Sequence, residues 1–181
     1  MTDELPDAVE TAFERHEAFE RAGDGYVVAT TALEGRVTAV ATPDLFAFTV
    51  TVRVPTIEAV TVDEVGEAVA EGWFDTLERR LEDAPKATRS DVELARFDIE
   101  REAQPDGNHD VQGSGGDGED AYVTYVFEWD DPGRAADIAK TFVEYVEGTY
   151  VEGVVPGYDY ESPVADLLDS ASQGEGSGPP L

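Results

Sequence analysis

The chain has no cysteine. That excludes disulfide bonds, thiolate metal sites and a cysteine nucleophile. Lysine is nearly absent as well: Lys86 and Lys140 stand alone, and the other cations are arginines. Histidine occurs only at His16 and His109. No run approaches ~18 uninterrupted apolar residues, so nothing reads as a membrane span. The first residues, Met-Thr-Asp-Glu-Leu-Pro, lack the basic start and apolar run of a secretory signal. The expectation is a cytoplasmic protein that does not touch the membrane.

What the chain does have is acid. Asp and Glu number 41 against 12 Lys and Arg, a formal charge of −29 over 181 residues. Such a chain repels itself at low salt and loses compactness. Molar salt shortens the Debye length to roughly 3 Å and removes that penalty. Few lysines also mean few exposed alkyl stems. The composition resembles that of haloarchaeal proteins, which work in concentrated KCl. An acidic disordered chain is the competing explanation. It fails because 41% of the residues are hydrophobic, and they fall in periodic runs. The charge therefore reports habitat more than partner.

The periodicity predicts a helix over 6–22, with Pro6 in the first turn and Val9, Ala12, Phe13, His16 and Phe19 on one face. Strands follow at 26–31 and 36–41, joined by a loop containing Gly35. The clearest strand is 45–54: Phe46, Phe48, Val50, Val52 and Val54 alternate with Thr49, Thr51 and Arg53. One packed face and one wetter face fit an antiparallel sheet. A second helix is expected over 63–83, with Asp63 as N-cap and a stripe of Val65, Val69, Trp73, Leu77 and Leu81. Strands at 92–102 and 121–129 come next. The first should turn Ala95, Phe97 and Ile99 inward, the second Val123, Tyr125, Phe127 and Trp129. A third helix starts at Asp131-Pro132 and ends near Gly148 or Gly153. A short last helix begins at Ser162-Pro163.

The fold class is therefore α+β. One mostly antiparallel five-stranded sheet carries helices on one face, in the order α-β-β-β-α-β-β-α plus a short C-terminal helix. Residues 1–170 form a single domain, with a mobile polar insertion at 104–120 and a disordered tail at 171–181.

The stretches AVETAFERHEAFE, EGWFDTLERRLEDAP and VEGVVPGYDYESPV resemble a haloarchaeal family known only as a domain of unknown function. That resemblance covers most of the chain and implies no activity. The element order, not the residues, is similar to the type III secretion chaperone-like fold, which includes the YbjN-type sensory regulators. It implies a compact binding module, often dimeric, without an active site.

No catalytic constellation emerges, and no cofactor is implied. His16 lies on an apolar stripe and reads as a core-edge histidine, with Glu17 and Glu20 as nearby acids. Asp106, Asn108, Asp110 and Asp117 have calcium-loop spacing, but Val111 stands where the sharp turn needs Gly. Gly113, Gly115 and Gly118 spell G-x-G-x-x-G, but no strand precedes them and no helix follows. Gln112 replaces the first Gly of a nucleophile elbow at Ser114. Paired carboxylates are too many to be informative. Arg79, Arg80, Lys86 and Arg89 form the only basic cluster. Phosphate could bind there, but Arg79 and Arg80 also complement a helix C-terminus, and the rest of the chain repels nucleic acid.

Tyr150, Tyr158 and Tyr160 sit among acids in TYVEGVVPGYDYESP. They read as tyrosines placed where core meets water. The leading functional reading is a non-enzymatic interaction or chaperone-like module that binds a protein partner or itself, with Val27, Leu45, Trp73 and Trp129 as candidate surface groups. The alternative is a small-molecule binder or enzyme with an aromatic pocket near Trp73, Trp129 and Tyr158.

Overall fold

The computed structural model describes residues 4–102, 120–155 and 157–175. Among them, six strands form one sheet: β1 (Phe19–Ala22), β2 (Gly25–Val28), β3 (Gly35–Ala41), β4 (Phe46–Pro55), β5 (Leu94–Glu102) and β6 (Asp120–Trp129). Their spatial order is β1-β2-β3-β4-β6-β5, and every neighbouring pair is antiparallel. The sheet thus has six strands where the sequence predicts five. The additional strand is β1, at residues the helical reading assigns to 6–22.

The physical reason lies in two short features. Helix α1 covers only Asp7–Glu14. Beyond it His16 Nδ1 accepts a hydrogen bond from the Ala18 amide at 3.2 Å, which turns the chain out of the helix. Gly23-Asp24 then forms a two-residue hairpin loop between Ala22 and Gly25, with Gly23 at φ +60. A side chain at that φ would be strained, so Gly23 suits the tight hairpin between β1 and β2.

Further helices follow. A single turn, α2, covers Ile57–Val60, and α3 covers Glu67–Leu81. The expected helix over 63–83 is therefore shorter, and Gly66, not Asp63, occupies its N-cap. A 3-10 turn at Ala84–Ala87 leads into β5. Helix α4 runs Pro132–Glu152 and starts as its sequence predicts: Asp131 Oδ1 accepts from the amides of Gly133 at 2.8 Å and Arg134 at 3.1 Å. Helix α5 runs Val164–Glu175, past the point where the sequence reading begins the tail. No helix among the described residues is long and apolar enough to cross a membrane.

The alternation read in the strands sets the core. Phe48, Val50, Val52 and Val54 of β4 and Val123, Tyr125 and Phe127 of β6 are fully buried on one face. Helix α4 lies on that face through Ala135, Ile138, Ala139, Phe142 and Val146. The Phe142 ring sits 4.9 Å from Tyr125 and 5.5 Å from Phe127. Helices α1, α3 and α5 pack against α4 in turn. In β5 a register shift between Leu94 and Arg96 turns Ala95 outward, so Leu94 takes the inner place expected of Ala95.

Candidate functional site

The aromatic candidates divide. Trp73 of α3 and Tyr150 of α4 are both buried, and their rings meet edge to face at 5.9 Å. Tyr160 is half-buried; its hydroxyl donates to the Val155 carbonyl, and it forms an isolated bridge with Thr61. The segment after α4 is thereby tied to the end of α2, with Val62 N–H donating to Asp159 and Glu161 N–H to Val60. Tyr158 is half-buried on this return. Trp129 sits elsewhere, opposite Phe46 across β4 and β6. Burial raises the phenol pKa of Tyr150 well above its ordinary value, with Tyr160 adding to the effect. Trp73 and Tyr150 thus pack edge to face between α3 and α4, beside a hydrogen-bonded return of the chain.

Two of the basic candidates are held by the chain's own acids. Arg80 pairs with Glu152, and Lys86 Nζ lies 2.6 Å from Asp83. That hydrogen bond raises the Lys86 pKa. Arg79 shares the last turn of α3 with Arg80, and Arg89 is exposed in the loop before β5. His16 is not held by Glu17 or Glu20. Its Nε2 lies 3.0 Å from Asp137 of α4, and its Nδ1 accepts from Ala18. His16 thereby links the end of α1 to α4. Asp106, Asn108, His109, Asp110, Asp117, Ser114 and the glycines 113, 115 and 118 lie outside the described residues. Among the described residues no group of three or more His, Asp or Glu could hold a metal ion.

The least ordinary surface is the sheet face opposite the helices. The register places side chains there in rows. One row runs Glu20, Val27, Arg36, Thr51, Thr124, Asp98 from β1 to β5. The next runs Thr38, Thr49, Val126, Arg96. A third places Val40 and Ala47 beside Glu128, and a fourth places Arg53 and Glu100 around Tyr122. Acids appear on the edge strands and at the row ends. The centre is Thr38, Ala47, Thr49, Thr51, Thr124 and Val126, without acids, with Arg36 beside Thr51. Val40 on the same face is 54% exposed.

The arginines of this face are internally matched. Arg36 pairs with Asp24, Arg53 with the buried Asp120 at 2.6 Å, and Arg96 with Asp98 at 2.8 Å. The Asp120 hydrogen bond raises the Arg53 pKa. Of the surface groups named from sequence, Val27 belongs to this face. The rest of it was readable as the positions between the buried ones in β3, β4 and β6.

No curated protein and no solved structure matches the chain. A family model does match, over residues 14–170. On that match the chain belongs to DUF5813, a family of unknown function.

Proposed function

We propose that the protein is a non-catalytic interaction module of a high-salt cytoplasm, and that it pairs with a second copy through the outer sheet face. The observation that carries this reading is the acid-free centre of that face in a chain of charge −29. Like charges brought together across an interface are costly. A second copy of so acidic a chain can approach closely only where acids are missing. A basic partner would be drawn to the acidic surfaces instead. Symmetric pairing also requires a self-complementary patch. A Thr- and Val-covered face, with its arginines already matched, meets that requirement.

The dimensions are compatible. Six strands spaced by about 4.8 Å span about 24 Å, and four side-chain rows about 6.8 Å apart span about 20 Å along the strands, a footprint near 500 Å². The accessible area over ridged side chains is larger, and a standard interface needs about 800 Å² per partner. Two such faces would stack at about 10 Å with strands near −30°.

Sedimentation equilibrium in multimolar KCl tests the reading. The native chain should sediment at twice its own mass. The double substitution Thr49→Glu with Thr124→Glu should give a monomer whose circular dichroism is unchanged. A native chain that stays monomeric at high concentration rules the pairing out.

A further inference from the structure

A second site lies on the helical side of the molecule. Between α3 and the end of α4 there is a cavity of about 250 Å³. Trp73, Leu77 and Val155 supply its apolar wall, and it opens beside the exposed residues Gly72 and Thr76. A cavity of about 150 Å³ already holds a benzene ring, so this one has room for a group of roughly six to eight carbons.

Its polar side-chain groups are the Trp73 indole N–H, the Arg80 guanidinium and the hydroxyls of Thr76 and Thr149. The Trp73 indole nitrogen makes no hydrogen bond among the described residues, and it lies 3.9 Å from where a Cβ on Gly153 would stand. Indole N–H donates only. Arg80 is the one charged residue in the lining. Its Nη2 is held by Glu152 at the rim, which leaves other N–H groups of the guanidinium fork for a ligand. The Thr76 hydroxyl donates to the Gly72 carbonyl at 2.8 Å, and its oxygen can still accept. The nearby helix-end carbonyls of Thr149 and Tyr150 already accept from the Gly153 amide. No carboxylate lines the cavity, in a chain with 41 acids.

Gly72 adds an independent sign. Glycine within a helix is less favourable than alanine, and close packing usually explains it. At Gly72 a Cβ would meet nothing within 4 Å. Gly148 is equally open but does not line the cavity. It is the coincidence of an unforced glycine with a cavity that holds an indole N–H and a guanidinium that matters. A larger residue at position 72 would close the mouth.

The geometry points to a binding site for a small apolar carboxylate, its hydrocarbon against Trp73 and Leu77 and its oxygens on Arg80 and the Trp73 indole. This site is separate from the outer sheet face, so it stands or falls without the dimer.

Hexanoate is the probe, with hexanamide as its neutral counterpart, both titrated against the full chain in multimolar KCl. The Trp73 indole N–H resonance is the readout, assigned by its survival in Trp129→Phe. Hexanoate should shift that resonance saturably. Gly72→Leu should weaken the apparent affinity at least tenfold while the chain still melts cooperatively. Arg80→Gln should weaken hexanoate by about tenfold or more, the worth of a hydrogen bond to a charged group, and leave hexanamide unchanged. No saturable shift up to the solubility limit would overturn the site, and so would equal binding by Gly72→Leu. Equal affinity for hexanoate and hexanamide would overturn the carboxylate assignment.

Discussion

Replacing Gly35 by alanine should destabilise the protein, and replacing Val143 as well should restore part of the loss. Gly35 opens β3 against α4. A Cβ there would lie 2.5 Å from both γ-carbons of Val143 and 3.1 Å from its Cβ. Val143 is fully buried and β-branched, so it cannot swing aside. The helix must lift or Val143 must leave its rotamer, at a cost of about 1–3 kcal/mol. Val143→Ala alone removes two buried methyl groups, roughly 1.6 kcal/mol of transfer at ~0.8 each. A partial cavity raises that to about 2 kcal/mol. In the double variant the methyl introduced at position 35 fills space that Val143 vacates. The pair should therefore cost about 1–2 kcal/mol less than the sum of the singles, well beyond the ~0.5 kcal/mol scatter of independent sites. Thermal melts at fixed KCl would show it, because 1 kcal/mol moves Tm by about 2–4 °C in a chain of this size. Additive losses, or a neutral Gly35→Ala, would mean that β3 and α4 do not meet at this point.

Two other predictions concern protons and salt. The Tyr125 hydroxyl donates to the Leu81 carbonyl at 2.8 Å in the core, so Tyr125→Phe should cost about 1–3 kcal/mol by leaving that acceptor without its donor. Burial raises the Tyr125 pKa above its ordinary value near 10, with Tyr145 adding to the effect. The folded state therefore keeps a proton that the unfolded chain loses. This contribution to stability is fully present below about pH 10 and declines as pH rises further. Melts across the alkaline range should fall less steeply in Tyr125→Phe, and an unchanged slope would refute the assignment. Lowering KCl from the molar range to about 0.1 M extends the Debye length to about 10 Å and re-exposes the self-repulsion of a −29 chain. Tm should drop by several degrees, and a flat Tm would sink the reading of the charge as a salt adaptation.

Much of the fold was legible because long elements repeat their pattern. In β4 and β6, alternation over ten residues leaves no other assignment, and the two strands pair along their whole length. Helix α4 announces itself through Asp131-Pro132. The failures fall where pattern is short. Phe19 continues the helical spacing of Val9, Ala12, Phe13 and His16, and a four-residue strand offers too little alternation to compete. Only the Gly23-Asp24 pair marked the hairpin. At β5 a bulge moves the inward position by one residue, and nothing in the local sequence distinguishes Leu94 from Ala95 as its tenant. Trp73 and Tyr150 meet because α3 packs on α4, a juxtaposition that spacing along the chain does not encode.

The outer sheet face was legible in a different way, through what its positions lack. On α3 the solvent side carries Glu67, Glu71 and Asp75, the acid coat expected throughout such a chain. On β4 the corresponding positions are Ala47, Thr49, Thr51 and Arg53. Strand preference alone would thin out acids there. Yet β5, in the same sheet and on the same face, carries Asp98 and Glu100. Strand geometry therefore tolerates carboxylates in this sheet, and the acid-free centre belongs to position rather than to secondary structure. On the pairing proposed above, a face with no acid in its middle and Glu20, Asp98, Glu100 and Glu128 at its edges and row ends would disfavour a like-charged neighbour out of register and favour one stacked centre on centre.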